Sequence, residues 1–469
     1  MQLKPKNLTI SPDNPFGEDK LSRQQSAQIL TQIVSTIREP FVLAIDSPWG
    51  TGKTTFIKMW MAWLKEKNGF PCICSNAWDS DFTGDPLVSF IGEMKASLDL
   101  SLKNAAASTA MEEYVSRGKN LLGTLARKSA PLAIKILTQG LLDLEKLKDS
   151  GVADWAESFV KERIGQYEAD KNTIIDFKSH LREFVGHLSK HETTQNKPLI
   201  FFTDELDRCR PTYAIDLLEK VKHLFNVEGI IFVLAIDKVQ IGHSIRSIYG
   251  SGMDVDGYPR RFIDLEYRLP ASPRVNFHAS LYDRFNLLEF SKSRTDGARV
   301  LSDFLDPFST LSDIFQFSLR TIEQCFSQFN IVLRTTPPKS YFFPDLLAFL
   351  IALRAKDLSL YNSFAGGTPD MEGVISLING LPGGQEYWDS YFGIELEAFH
   401  SCSKGTSFDN SAGEEPHRRA FEKHGENSPQ GERAKRILDR MTEIGRLNVY
   451  DALRLVTRRI ELTEQFTIS

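Results

Sequence analysis

The chain is poor in cysteine, and the few it has hold nothing together. Five are scattered over 469 residues, at Cys72, Cys74, Cys209, Cys325 and Cys402, with no C-x-x-C pair and no metal-ligand spacing. That excludes a zinc ribbon and a disulfide framework, and it reads as free thiols in a reducing compartment. Long apolar runs are missing too. No window reaches the roughly 18–20 uncharged apolar residues of a membrane span, and the nearest, 121–142, is broken by Arg127, Lys128 and Lys135 and reads as an amphipathic helix. The opening Met-Gln-Leu-Lys-Pro-Lys has no apolar signal-peptide core, so the expectation is a cytoplasmic protein without a transmembrane segment. No charge of one sign dominates. The net charge of −5 gives no global case for nucleic-acid binding and leaves a local basic patch open. Among nine histidines, His187 and His191 stand at i, i+4 without an intervening Glu or a third ligand, so no metal other than Mg²⁺ is expected.

What is present is concentrated in two short stretches. Phe41-Val-Leu-Ala-Ile-Asp-Ser-Pro-Trp-Gly-Thr-Gly-Lys-Thr-Thr55 runs from an apolar strand through a glycine turn into a helix. Backbone N–H groups of such a turn, with the positive end of the helix behind them, cradle phosphates. The loop residues Ser47, Pro48, Trp49, Gly50, Thr51, Gly52, Lys53, Thr54 and Thr55 are therefore the candidate nucleotide-binding set. Lys53 would reach the β- and γ-phosphates, and the Thr54 hydroxyl would hold Mg²⁺. The pattern G-x-x-x-x-G-K-[ST] asks for glycine at position 47, where this chain has Ser47. Gly50 and Gly52 must then supply the backbone freedom, with Ser47 kept at negative φ. The second stretch, Lys197-Pro-Leu-Ile-Phe-Phe-Thr-Asp-Glu-Leu-Asp207, reads as a buried parallel strand with an acidic tip at the ligand crevice. Asp204 would position Mg²⁺ through water, and Glu205 would orient and deprotonate the attacking water.

The coarse pattern is α/β: a parallel sheet with flanking helices, a large helical insertion and a mostly helical C-terminal domain. The core is assigned to 1–86 and 191–270, the insertion to 87–190, and the C-terminal domain to 271–469. Insertion helices are predicted at Leu87–Leu100, Ala110–Leu125, Leu132–Leu147, Trp155–Tyr167 and Ile174–Leu188, and C-terminal ones begin with Val275–Phe290 and Arg299–Leu305. Residues 402–431, polar and charged, read as a mobile loop.

Other candidates carry two readings each. Asp237, ending strand Ile230–Ile236, either senses the γ-phosphate or caps the next helix. Arg208, directly after the acidic pair, either pairs with a carboxylate or faces a neighbouring subunit. Arg260 and Arg261 are either a surface pair or the source of a finger that completes a neighbour's site, with Arg261 the stronger choice. Arg320, one residue into a helix that Ser318 would cap, either reaches back to the γ-phosphate or forms a surface salt bridge. Pro15 and Phe16 are candidates to stack on adenine.

These elements, in this order, resemble the KAP family of P-loop NTPases, which is related to the STAND and AAA+ groups. The likeness rests on Asn14-Pro-Phe-Gly-Glu-Asp-Lys20 before a helix, Trp49-Gly-Thr-Gly-Lys-Thr54, Asn76-Ala-Trp78, and Asp204-Glu-Leu-Asp-Arg-Cys209. It covers about residues 10–330. Two departures stand out: Ser47 for the loop-opening glycine, and Asp204-Glu205 for the family's Asp-Asp. The resemblance implies ATP and Mg²⁺ as cofactors and an ATP-hydrolysing switch. It also implies a homo-oligomer or partner proteins of the same locus in bacterial antiphage defence, as in Qat-type systems. The alternatives are a nucleotide-gated scaffold with negligible turnover and a nucleic-acid motor or loader. No guanine-reading Asn-Lys-x-Asp is present, so ATP is preferred.

Overall fold

Four of the five strands are near-continuous apolar runs, as strands covered on both faces must be. They are β1 (Phe41–Asp46), β2 (Cys72–Asn76), β3 (Leu199–Asp204) and β4 (Ile230–Ile236); β5 (Leu265–Arg268) is a short, mostly exposed edge. All pair in parallel in the order β2-β3-β4-β1-β5. The structure is a computed structural model that describes residues 4–6, 8–99, 105–129, 171–188, 197–271, 274–292, 297–337, 340–365, 371–404, 410–446 and 451–464. The chain divides into two compact units, Thr9–Ala271 and Met1–Leu8 with Ser272–Ser469.

In the first unit, one sheet face presents Leu43, Ile45, Ile200, Phe202 and Val233 to Leu30, Val34, Phe56 and Trp60 of helices α1 (Gln24–Thr36) and α2 (Lys53–Ala62). Helix α1 runs against the strand direction. Its end lies at the start of β4, where Gly229 N–H donates to Arg38 at 3.1 Å. Its beginning lies by the end of β5, where Tyr267 Oη donates to Ser26 Oγ at 2.9 Å. Trp60 Nε1 donates to Thr31 Oγ1 at 3.0 Å and ties α2 alongside. Both helices therefore start at the carboxyl edge of the sheet.

The opposite face is covered by part of the insertion. After the short helix α3 (Ala77–Ser80) come α4 (Pro86–Asp99), α5 (Ala105–Ser129) and α6 (171–188). Phe90 lies edge-on to Phe201 at 5.0 Å and to Phe225 at 4.8 Å, and Tyr114 stacks on Phe184 at 5.9 Å. The helices expected at Leu132–Leu147 and Trp155–Tyr167 fall outside the described residues. The same face carries α7 (Pro211–Leu224) and α8 (Lys238–Tyr249).

Every regular element among the second unit's described residues is a helix, and one expectation is corrected there. Much of 402–431 is not a loop: helices occupy Ser411–His424 and Pro429–Arg446. Composition misled because the first of these helices is exposed except for a narrow contact line. Ion pairs Glu414–Arg418 and Glu415–Arg419, each 2.6 Å at i, i+4, support its outer side. Gly413 lets it sit so close to the preceding helix that a Cβ would lie 2.0 Å from the Ser401 carbonyl. The helix expected over Val275–Phe290 is broken at Asn286, which sits at φ +55°, and the one at Arg299–Leu305 extends over Gly297–Ile314, through Pro307.

A titration is built into this unit. Burial pushes the Asp345 carboxyl up to about 7, with Glu395 and Asp303 adding to the shift and Arg440 opposing it. An acid whose folded pKa lies above its unfolded value binds more protons when folded, so its contribution to stability falls as pH rises from about 4 to about 7. Asp345→Asn should flatten the stability-versus-pH curve across that window, measured by urea titration at pH 5 and pH 8; an unchanged slope would exclude this group.

Candidate functional site

At the end of β1 the ladder continues for one residue, because Ser47 N–H donates to the Ile236 carbonyl at 3.1 Å. Ser47 is not among the residues at positive φ. The left-handed positions of the loop are Gly50 at φ +73° and Gly52 at φ +85°, so glycine is placed where the turn needs it. Ser47 Oγ and Thr51 Oγ1 share a 2.6 Å hydrogen bond, and Thr51 Oγ1 donates to the Pro48 carbonyl at 2.8 Å. A brace of two hydroxyls thus spans the loop. Gly52 precedes α2, and no side chain caps it, which leaves the first N–H groups of the helix free to receive an anion.

Lys53 is buried at 8% exposure. Its ammonium donates to the Ser47 carbonyl at 2.5 Å and lies 3.8 Å from the Asp207 carboxylate. Burial holds its pKa below the usual lysine value, against the pull of Asp207, Asp237, Asp204 and Asp46. Asp204 accepts the N–H of Glu205 at 2.9 Å. Burial raises the pKa of Asp204, a shift that the nearby Thr54 side chain, the Glu205 N–H and Lys53 oppose.

Strand β4, inserted between β1 and β3, brings Asp237 to the middle of this group. Asp237 caps the next helix and also meets the loop. Its Oδ1 accepts from Val239 and Gln240 N–H at 3.1 and 3.4 Å, capping α8, and its Oδ2 accepts Trp49 N–H at 3.1 Å. Asp207, unassigned from the sequence, is 7% exposed and accepts the Trp49 indole N–H as well as facing Lys53. Only its spacing from Asp204 could have drawn notice. Burial raises its pKa too, opposed first by Lys53.

Glu205 occupies left-handed backbone at φ +60°, ψ +25°, strain of a kind found at functional positions. Its Oε1 lies 2.6 Å from Arg208 Nη1, and its Oε2 accepts from Asn76 Nδ2 at 3.2 Å. Of the two readings of Arg208, the structure shows the carboxylate pair; its guanidinium also lies 5.7 Å from the Trp78 ring. Asn76 was legible as part of a motif but not as a neighbour of Glu205. Its position follows from β2 pairing with β3, Asn76 opposite Asp204.

The remaining candidates lie elsewhere. Phe16 is a correction: at 6% exposure it packs in the α1–α2 core, edge-on to Trp63 at 5.9 Å, and a buried ring has no face to offer adenine. Arg260 and Arg261 are exposed on the turn that leads into β5, with Arg261 5.6 Å from the Tyr258 ring. Arg320 belongs to the other compact unit, exposed at the second position of helix Leu319–Thr335, which Ser318 caps through Thr321 N–H at 3.1 Å.

This phosphate loop, acidic strand tip and parallel sheet agree with a family model, the KAP family P-loop domain, which matches residues 23–336. The chain belongs to the KAP family. An uncharacterized protein of Methanocaldococcus jannaschii, MJ0182, is 26% identical over 183 residues, covering 35% of this chain and 89% of its own length. A solved structure, the ORC2 protein of Aeropyrum pernix in ADPNP–ADP complexes, covers 96% of this chain and 98% of its own at 12% identity, with a TM-score of 0.35. That score marks a loose likeness from which nothing follows here. A KAP P-loop domain is a nucleotide-binding unit. In this KAP chain no helix among the described residues is long and apolar enough to cross a membrane.

Proposed function

We propose that this KAP domain binds ATP with Mg²⁺ and hydrolyses it as a nucleotide-driven switch. The observation that carries the reading is the approach of the Thr54 side chain to Asp204, close enough to hold the Asp204 pKa down against burial. It joins the start of the uncapped helix to the acidic tip across an intervening strand, so that phosphate-binding and carboxylate groups share one edge. Five carboxylates (Asp46, Asp204, Glu205, Asp207, Asp237) crowd this edge, where Lys53, Arg208 and Arg268 are ion-paired with members of the group. A polyphosphate alone would be repelled there; one carrying a divalent cation is not. Thr54 and Asp204, a hydroxyl and a carboxylate, are hard oxygen donors that would hold Mg²⁺, and the ion would neutralise phosphate charge there.

The loop N–H groups bind the phosphates, Lys53 leaves the Ser47 carbonyl for them, and Asp237 holds the loop through Trp49. Glu205 orients water and accepts its proton, which requires the Arg208 or Asn76 contact to open. Arg261 is assigned a role in a neighbouring copy's site, and Arg320 a role in linking nucleotide state to the second unit. Oligomerisation, partner proteins and antiphage defence are supported by the family resemblance alone.

The decisive experiment is steady-state ATP hydrolysis by the full chain with and without Mg²⁺. Mg²⁺-dependent turnover is expected, and its absence with ATP still bound moves the protein to the second reading, a nucleotide-gated scaffold. One observation favours that second reading: the 2.6 Å ion pair that engages Glu205.

A further inference from the structure

Arg23, directly before helix α1, is buried with two of its guanidinium nitrogens unpartnered. It is 4% exposed, and its Nε and Nη1 have no hydrogen-bond partner. Its backbone is satisfied, since the N–H donates to Asp19 Oδ2 at 2.5 Å; the orphan is the guanidinium. Burial pulls its pKa down to about 10, with Asp19 opposing. Buried donors nearly always have partners, and an unpaired buried cation is among the most destabilising arrangements a fold can carry. The residue before it, Ser22, is held in left-handed backbone at φ +54°, a second sign of strain in the same turn.

Its place in the fold indicates what it faces. Helix α1 begins right after Arg23, at the carboxyl edge, on the same sheet face as α2 and tied to it by the Thr31–Trp60 hydrogen bond. Ser26, one turn further on, bonds Tyr267, which pairs with Ile45 two residues before Ser47. Arg23 is therefore near the level of the phosphate loop, on the β1–β5 side. The acidic tip lies on the other side, on β3. A triphosphate laid across the start of α2 with its terminal phosphate toward Asp204 carries its nucleoside toward β1, β5 and the start of α1.

We propose that Arg23 is a nucleoside-recognition residue: its guanidinium turns toward the bound nucleotide and donates through Nε and Nη1 to acceptor atoms of the ribose or base. This rests on the nucleotide-binding reading above and deepens it. The role that sequence reasoning gave to a stacking Phe16 passes to a hydrogen-bonding Arg23. The ligand relieves an arrangement that the nucleotide-free protein carries at a loss.

The test compares Arg23→Met, which keeps the stem and deletes the fork, with the wild-type full chain. Calorimetric affinities for ATP and for inorganic tripolyphosphate are measured with Mg²⁺, together with Tm in the absence of ligand. ATP affinity should fall about tenfold, as for the loss of a charged hydrogen bond, while tripolyphosphate affinity stays unchanged and the ligand-free Tm rises. A lower Tm with unchanged ATP affinity would make Arg23 structural and overturn the proposal. Equal losses for ATP and tripolyphosphate would make it a phosphate contact, which also overturns it. If wild type binds tripolyphosphate and binds ATP no more tightly, only the nucleoside assignment fails; if it binds neither, the nucleotide reading fails with it. Should Arg23→Met not fold, Arg23→Lys, which keeps the charge but not the fork, should show the same selective loss for ATP.

Discussion

Glu205→Gln should bind ATP and leave it intact. The amide has the size of the carboxylate and can still pair with Asn76, so the loop and Lys53 keep their geometry and nucleotide affinity stays within a few-fold. The lost property is proton acceptance. A positioned general base contributes roughly 10²–10⁴ in rate, so kcat should drop by at least about a hundredfold with the ATP dissociation constant little changed. The substitution also removes the ion pair with Arg208, 2.6 Å away in the structure. Turnover assays beside equilibrium binding of a fluorescent ATP analogue separate chemistry from affinity. Hydrolysis at the wild-type rate would show that Glu205 is not the base and would return attention to Asp204, Asp207 and Asp237.

Lys53→Ala removes binding itself. The ammonium is the cation that Asp207, Asp237, Asp204 and Asp46 all act upon, and it is the side chain at the start of α2 able to meet the β- and γ-phosphates. Loss of a charge-assisted pair of this kind corresponds to about 3 kcal/mol, or roughly 10²-fold in affinity. The carboxylates left behind repel a phosphate further, so binding should fall below detection at micromolar protein. A thermal melt of the variant guards against the trivial cause, since Asp207 loses the cation 3.8 Å away. Tight ATP binding by folded Lys53→Ala protein would sink the assignment of the loop.

Much of this was legible because local chemistry wrote it. The runs at Phe41–Asp46, Leu199–Asp204 and Ile230–Ile236 are apolar on both faces, and such strands announce a covered parallel sheet. Gly50 and Gly52 stand where a turn needs left-handed backbone, which is why Ser47 could replace the usual glycine without strain. The helix at Ser411–His424 was missed for the opposite reason: its stability comes from i, i+4 charge pairs and a close glycine contact, neither of which produces an apolar stripe.

The sequence by itself determined the phosphate loop, the acidic strand tip and the family, because each rests on contiguous motifs whose chemistry depends on neighbours in the chain. Strand order was decided only by the tertiary structure. It put β2 beside β3 so that Asn76 meets Glu205, put β4 between β1 and β3 so that Asp237 meets Trp49, and started α1 beside α2 with Arg23 at its head. It also turned Phe16 inward and Asp207 toward Lys53. These partners are separated by up to 188 residues in the chain, and spacing along a sequence carries no information about pairs that only a sheet's crossovers bring together.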